Sequence, residues 1–213
     1  MDKEKVKVEV RRLTNWSEVL DAARFTVNKK ELEKEPSSDF KRRILMAEHS
    51  PIRSLIFVIK LYNVPTWVSQ HIARHDVFAG HNTREGAADT HYVATQRSDR
   101  TGVDRSKLSQ EELVDHRILL NAQDFIIISR KRLCNCASPE TRFVWEKIKE
   151  EVEKIEPELA SRMVRECVYR GFCPEMKCCG YSETKHFSQM LEEYRKIDEI
   201  NKNDKTKSNK EKD

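Results

Sequence analysis

Residues Leu55 to Val64 have the sequence Leu-Ile-Phe-Val-Ile-Lys-Leu-Tyr-Asn-Val. β-Branched and aromatic residues dominate it, which is typical of a strand in the middle of a sheet. Upstream, residues 5–11 alternate strictly between charged side chains and valine. This alternation predicts a second, half-buried strand.

Segments on either side of the central stretch have the spacing of helices. Asn15, followed three residues later by Glu18, predicts the N-terminus of a helix through residues 19–23. A second helix is expected over residues 40–45. Pro65 suits the first turn of a helix that continues to Ile72.

Two more helices are predicted downstream. Ser109 and Glu112 form a capping-box pattern, from which we expect one long helix through Phe125 to about Arg132. Ser138 and the proline after it predict the start of another helix.

Length and composition indicate a folded protein of modest size. The 213 residues, of which 38% are hydrophobic and 36% charged, fit one domain with a real core. We predict a single domain over residues 1–198 and a charged, disordered tail over residues 199–213. No apolar run is long enough to span a bilayer and the charged start is unlike a signal peptide, so we expect a cytoplasmic protein without a membrane partner.

The charge balance argues for small anionic ligands rather than nucleic acid. The net charge is only +4, with acidic and basic residues interleaved along most of the chain. A nucleic-acid binder usually concentrates its basic residues on one face or helix.

The densest set of chemically active residues lies between His71 and Arg105. Arginine forks bind phosphate oxygens, and Asn or Glu side chains can orient a heterocycle. The segment therefore predicts a nucleotide or dinucleotide-cofactor site, although a solvated charged loop is the competing interpretation.

Two metal sites compete with this interpretation. His71 and His75 are one helical turn apart, a spacing that can place two imidazoles on one metal, but Ile72 stands where the zincin pattern needs Glu. The cysteines could also supply thiolates, although none has the common CxxC spacing. We expect no metal and six reduced thiols. The cysteines are Cys134, Cys136, Cys167, Cys173, Cys178 and Cys179.

Separated segments, in order along the chain, resemble motifs of the flavin-dependent thymidylate synthases. The Arg74-His75 pair resembles the start of the signature RHRxxSxNExSxRY, and the block Asn121–Arg142 is similar to N-A-R…R-C-C-N-x-A-Q-W-E-x-R without a gap. The other matching segments are Ala22–Thr26, Glu48–Arg53 and Cys167–Gly180.

The resemblance implies a fold, a reaction and an assembly. The fold would be α/β (α+β), like that of the thymidylate synthase-complementing proteins, with a central, mostly antiparallel sheet flanked by long helices. The reaction would transfer a one-carbon unit from methylenetetrahydrofolate to C5 of dUMP, with FAD as cofactor and NADPH as reductant. The assembly would be a homotetramer whose active sites are shared between subunits.

The resemblance also assigns residues to ligands. Arg132 would bind the pyrimidine base and act in catalysis, because its guanidinium can offset charge that develops on a base carbonyl. The positions that match flavin contacts are Arg74, His75, Asn82, Glu85, Asn121 and Gln123. The positions expected to bind substrate are Gln70, His91, Arg105 and Arg132.

The sequence departs from the family pattern around this site, which leaves the substrate open. Asp76 replaces the second arginine of RHR, and His91 replaces the arginine of SxRY. Two alternatives therefore stand beside dUMP methylation. One is a relative that hydroxymethylates or modifies another pyrimidine nucleotide, and the other is a non-catalytic homologue that binds nucleotides or nucleic acid.

Overall fold

The fold is built on one antiparallel sheet, seen in a computed structural model that describes residues 1–75, 91–94 and 98–196. The strands are β1 (Lys7–Arg12), β2 (Ile56–Pro65), β3 (His91–Val93) and β4 (Leu113–Asn121). Their order across the sheet is β1-β2-β4-β3, and every neighbouring pair is antiparallel. The predicted central strand is thus confirmed, with β2 paired on both sides.

A bulge bends β2 near its end. The register between β2 and β4 shifts between Leu61 and Val64. Asn63, inside this interval, has a left-handed backbone with φ of 56°. Its backbone amide donates to Asp115 Oδ1 at 3.1 Å, and its side-chain amide donates to the Lys5 carbonyl oxygen at 3.0 Å. The bulge therefore ties β4, and the residues just before β1, to the end of β2.

Helices flank the sheet. They are α1 (Trp16–Phe25), α2 (Ser38–Met46), α3 (Thr66–Ala73), α4 (Ser98–Thr101), α5 (Ala122–Arg132), α6 (Pro139–Ile155), α7 (Pro157–Ala160), α8 (Glu166–Arg170) and α9 (described over residues 185–196). Short 3₁₀ helices cover Ser50–Ser54, Arg105–Lys107 and Tyr181–Glu183.

The main core lies between the sheet and these helices. The Phe125 ring meets the Phe57 ring edge to face, with centroids 5.2 Å apart, and its centroid is 6.3 Å from that of Trp145. The buried indole of Trp145 donates to Ser129 Oγ at 2.8 Å, so its polar atom is satisfied. Aromatic packing therefore joins β2, α5 and α6.

The predicted helix from residue 109 to Arg132 is wrong in its first half. Residues 109–112 form a turn, residues 113–121 are the strand β4, and only Ala122–Arg132 is helical. The capping box forms at Asn121 and Asp124 rather than at Ser109 and Glu112. The reason is that β4 bonds to β2 along nearly its whole length, and this pairing outweighs a local helix signal.

None of the helices in the described part of the chain is both long enough and apolar enough to cross a membrane. The predicted domain boundary at residue 198 and the predicted tail lie outside the described residues.

Candidate functional site

A group of cationic and imidazole side chains gathers where α3 and α5 end, beside β3 and β4. We call it the Arg132 cluster. It comprises Arg74, His75, His91 and Arg132, which sequence analysis predicted, together with His71, His116 and Ser69.

Arg132 is the last residue of α5, and its position is set by contacts with α3 and α6. Its guanidinium Nη2 donates to the carbonyl oxygen of His71 at 2.5 Å. The His71 Nδ1 atom in turn lies 3.2 Å from Thr141 Oγ1. Thr141 is fully buried in the first turn of α6, which Ser138 caps. Arg132 is therefore held by a chain of contacts through two neighbouring helices.

The electrostatic environment of Arg132 is unfavourable to cations. Burial, and then the nearby charge of Arg74, lower the pKa of Arg132. Burial, and then Arg132 and His91, lower the pKa of His75 to about 4. Burial, Arg132 and Arg74 also lower the pKa of His71. Positive charge is thus concentrated in a partly desolvated place, which favours an anionic or electron-rich ligand.

Two atoms of the cluster have unused hydrogen-bonding capacity. Within the described residues, His75 Nε2 and Arg132 Nε are buried and have no hydrogen-bond partner. Buried polar atoms are rarely left unsatisfied in a folded protein, because each costs roughly 1–3 kcal/mol. These two atoms are therefore candidates to contact a ligand.

A relay of side chains runs behind His91. Ser69 Oγ lies 3.0 Å from His116 Nδ1, and His116 Nε2 lies 3.0 Å from His91 Nδ1. His116 is 1% exposed. Burial, and then His91, lower the pKa of His116 to about 3. At neutral pH the His116 ring therefore carries a single hydrogen and donates only one of its two bonds.

The relay couples the Ser69 hydroxyl to the proton on His91. If Ser69 donates to His116, then His116 donates to His91 Nδ1, and a neutral His91 carries its own hydrogen on Nε2. If His116 donates to Ser69 instead, His91 Nδ1 donates to His116, and Nε2 of a neutral His91 becomes an acceptor. Ser69 and His116 thus position the His91 ring, and the direction in which the Ser69 hydroxyl points determines which ring nitrogen of a neutral His91 carries the hydrogen.

Two predicted flavin residues lie at the other end of α5. Asn121 is the N-cap of this helix rather than a residue within it. Its side-chain oxygen accepts from the Asp124 backbone amide at 3.0 Å, and Asp124 Oδ2 accepts from the Asn121 amide at 2.8 Å. The amide nitrogen of Gln123 donates to Glu48 Oε2 at 2.7 Å. Contact between these two side chains and a flavin stays a prediction.

Glu48 also binds a second helical residue. It forms an ion pair with Arg130, whose guanidinium lies over the Tyr169 ring, 3.6 Å from the centroid. Glu48 has a left-handed backbone with φ of 49°. This network joins the segment before β2 to α5 and α8, which gives it a structural role within the chain.

The other predicted residues have varied locations. Gln70 is exposed on α3, one turn before Arg74, and therefore lies on the same side of the helix as that residue. Arg105 is exposed at the start of a short 3₁₀ helix. Asn82 and Glu85 lie outside the described residues. The roles assigned to all four stay predictions.

Sequence analysis missed Ser69, His116 and Thr141. His116 occupies an inward-facing position of β4. The alternation of buried and exposed positions along that strand is the pattern that would have predicted its burial. The mistaken helix over residues 109–132 hid this signal. Ser69 and Thr141 have no local sequence signal, because serine and threonine are common at ordinary helical positions.

No metal-binding group is found where the structure can be described. Within residues 1–75, 91–94 and 98–196, no three His, Cys, Asp or Glu side chains are arranged to hold a metal ion. The six cysteines are free thiols.

The fold and the site together define an α/β protein with an antiparallel β1-β2-β4-β3 sheet and a cationic, histidine-rich cluster at the end of its central helix. The sequence matches no family model, and no curated protein matches it. Solved structures do resemble it. The chain is similar to the UMP/dUMP methylase PolB from Streptomyces cacaoi bound with 5-Br dUMP, with a TM-score of 0.53 and 12% identity over 78% of this chain and 95% of that one.

The same enzyme bound with 5-Br UMP has a TM-score of 0.49 and 13% identity over 74% of this chain and 92% of that one. The likeness to the first structure concerns the fold, and it confirms the predicted fold class of an antiparallel sheet flanked by helices.

Proposed function

We propose that this chain is a flavin-dependent enzyme that transfers a one-carbon unit from methylenetetrahydrofolate to C5 of a pyrimidine nucleotide. The leading substrate is dUMP, the cofactor is FAD and the reductant is NADPH. The proposal joins the sequence resemblance to one observation, the Arg132 cluster.

The Arg132 cluster supports a nucleotide ligand through its charge. Arg132 and Arg74 are close enough for the charge of one to lower the pKa of the other. Like charges in a partly buried place repel each other, so the cluster gains most from a ligand that brings negative charge or strong acceptors. A nucleotide supplies both, in its phosphate and in the carbonyl oxygens of uracil.

Arg132 is proposed to bind the base. Its anchoring to the His71 carbonyl fixes the guanidinium plane, while its Nε has no partner among the described residues. A fixed guanidinium in a desolvated place stabilises charge on a base carbonyl better than a mobile one, because no reorganisation is needed. This is the property required when negative charge develops on a carbonyl oxygen of the base.

Arg74 and His75 are proposed to hold the flavin. His75 has a buried ring nitrogen without a partner in the described chain, and its low pKa keeps the ring neutral. A neutral imidazole can contact a flavin carbonyl or ring nitrogen without adding charge, and exposed Arg74 suits a phosphate. Bound flavin would supply the reducing equivalents of the reaction.

The remaining predicted flavin residues suggest a shared site. α5 separates Gln123 from Arg132 by nine residues, a length of roughly 13 Å along the helix axis. We propose that Asn121 and Gln123 serve a neighbouring site in a homotetramer. A protein whose sites are built from several subunits places its ligand residues at separate positions of each chain.

The fold supports a pyrimidine nucleotide as substrate. PolB, which resembles this chain in fold, is described as a UMP/dUMP methylase. This makes UMP the second substrate to test, together with a hydroxymethyl product. His91 stands in the position of an arginine in the family pattern. A substrate whose phosphate or sugar differs from that of dUMP is therefore compatible with this site.

The test is a mass-spectrometric assay on the purified full chain. The chain is incubated with FAD, NADPH and methylenetetrahydrofolate in three separate reactions. Each reaction contains one nucleotide, which is dUMP, UMP or dCMP. We expect a flavin absorbance spectrum and one nucleotide that gains a methyl or hydroxymethyl group. The matched control omits methylenetetrahydrofolate. A folded chain that binds no flavin and alters no nucleotide would contradict the proposal.

A further inference from the structure

A small cavity lies where α8 and α9 pack against α6, and we call it the α6–α8 pocket. Its volume is about 140 Å³. An engineered protein cavity of roughly 150 Å³ with an apolar lining holds one benzene molecule. The α6–α8 pocket therefore has room for a small apolar group. Its apolar wall is formed by Leu133, Met163, Val168 and Met190.

Two cationic side chains line the same pocket. Lys149 belongs to α6, and Arg165 directly precedes α8. Both residues are half-buried. The guanidinium carbon of Arg165 lies 4.0 Å from the centroid of the Tyr181 ring. This stacking on a buried ring holds the guanidinium at the pocket.

Lys149 has acidic neighbours but no ion pair within the described chain. Glu146, nearly one turn earlier on α6, also lines the pocket, but its Oε1 atom lies 3.8 Å from Arg142 Nε. Glu153 is exposed about one turn later. Burial lowers the pKa of Lys149, and the charge of Arg165 adds to this effect while the two glutamates oppose it. The ammonium is therefore partly desolvated without a bonded carboxylate.

Arg165 is in the same situation. Its sequence neighbour Glu166 is buried and pairs with Arg170. Among the residues that the structure describes, no carboxylate forms an ion pair with Arg165. Two like charges at one small cavity repel each other, and an anion placed between them removes this repulsion. The α6–α8 pocket therefore favours an anionic ligand.

His186 adds a hydrogen-bond donor at the mouth of the pocket. It lines the cavity, and its ring contacts the Tyr181 ring with centroids 5.9 Å apart. An imidazole carries at least one N–H group in either protonation state, so it can donate to an anion. Because His186 is exposed, the mouth is open to solvent and a ligand can enter.

We propose that the α6–α8 pocket binds a small organic carboxylate, whose charged group lies between Lys149 and Arg165 and whose apolar body contacts the wall of the cavity. An inorganic anion such as phosphate would leave the apolar wall without a partner. The inference is independent of the proposed function, because none of the lining residues belongs to the Arg132 cluster.

The first test locates the site on the wild-type chain, with benzoate as the probe. The methionine methyl groups are labelled with carbon-13, and their NMR signals are assigned with Met163→Leu and Met190→Leu. We expect benzoate to shift the signals of Met163 and Met190, with a dissociation constant of about 1 mM or below. The internal controls are Met1, Met46 and Met176, which do not line the pocket.

The second test compares ligands, so it needs no variant to fold. Benzamide has nearly the shape of benzoate but no charge, and inorganic phosphate has the charge but no apolar body. We expect both to bind at least about fivefold more weakly than benzoate, since each lacks one of the two interactions. Equal affinities for benzoate and either ligand would overturn the proposal. So would a benzoate titration that shifts neither Met163 nor Met190.

The third test assigns the charge recognition to one side chain. Lys149→Gln should weaken benzoate binding at least about fivefold and change benzamide binding by less than about twofold. Lys154→Gln is the matched control, because Lys154 is exposed on the same helix, pairs with Glu151 and does not line the pocket. Equal losses of benzoate binding in the two variants would overturn the proposal, since the general charge of α6 would then explain them.

Discussion

At the scale of single residues, Arg132 combines a fixed position with unused binding capacity. Its guanidinium donates to the His71 carbonyl oxygen, and burial together with Arg74 lowers its pKa. Lysine would keep the charge at this position but would not provide a planar group with several donors. Arg132 is therefore the residue at which geometry, rather than charge alone, should control binding.

We predict that Arg132→Ala weakens dUMP binding at least about tenfold and abolishes turnover, because a hydrogen bond to a charged group contributes about 1.5–3 kcal/mol. Arg132→Lys should recover less than half of the lost binding free energy, since a single ammonium cannot replace the fork. Isothermal titration with dUMP measures both effects.

Lys131→Ala is the matched control for this prediction. Lys131 is the neighbouring cation in the same helical turn, is half exposed, and pairs with Glu175 at the surface. Its removal should leave dUMP binding within about twofold of wild type, as expected for a surface ion pair. If Arg132→Ala and Lys131→Ala weakened binding equally, general electrostatics would explain both and the base-binding role would be wrong.

At the scale of elements, the junction between β4 and α5 determines where the Arg132 cluster forms. Asn121 ends the strand and caps the helix, and it exchanges hydrogen bonds with Asp124 in both directions. The cap fixes the first turn of α5, and the length of the helix then determines where Arg132 lies. A local polar motif at one end thus positions a functional side chain at the other.

We predict that Asn121→Ala lowers the free energy of unfolding by about 1–2 kcal/mol, because the cap bond is lost in a buried place. Asn121→Ser should recover part of this loss, since a hydroxyl can still accept from the helix. Urea denaturation of the variants measures the difference.

Asn15→Ala provides the comparison. Asn15 is also an N-cap asparagine, but its side chain makes no capping bond and is exposed. Its replacement should cost less than about 0.5 kcal/mol, as is usual for surface substitutions. Equal losses for Asn121→Ala and Asn15→Ala would show that the cap at α5 contributes nothing specific.

At the scale of the whole molecule, the Arg132 cluster should make the fold sensitive to acid. His75 and His116 have pKa values of about 4 and about 3, below the ordinary value of 6.5. At these two side chains the unfolded chain therefore binds up to two more protons than the folded chain between about pH 6 and pH 4, and the lowered pKa of His71 acts in the same direction. Burial raises the pKa of Asp124 to about 6, so over the same interval the folded chain binds one more proton at Asp124 than the unfolded chain does. This opposes the effect of the histidines.

We predict that the free energy of unfolding falls as the pH is lowered from about 6 to about 4, by roughly 1.4 kcal/mol per pH unit for a net uptake of one proton. His75→Gln should reduce this dependence by up to about 1.4 kcal/mol per pH unit, because one of the histidines no longer gains a proton on unfolding. Urea midpoints measured across the interval test this.

His186→Gln is the control for the acid prediction. His186 is exposed on α9 and its ring contacts that of Tyr181, which is not a member of the cluster, so its replacement should leave the wild-type dependence in place. A slope that is the same in wild type and His75→Gln would contradict the assignment of acid sensitivity to the cluster.

Local sequence patterns were sufficient for much of the secondary structure. The run from Leu55 to Val64 and the alternation over residues 5–11 each predicted a strand, and both strands form. Ser138 predicted the start of α6 correctly, since its side chain caps the helix. These features depend on neighbours within a few positions, so they can be read along the chain.

The secondary structure of residues 113–121 and the set of residues in the site depend on tertiary contacts. Local signals around residue 109 favoured a helix, but hydrogen bonds from β2, 48 to 65 positions earlier in the sequence, make this segment a strand. Ser69 and His116 are in contact although they are 47 positions apart in the sequence. His75 follows the end of α3 and lies close to Arg132 at the end of α5. Such contacts depend on packing between distant segments, and no local pattern encodes which segments will pair.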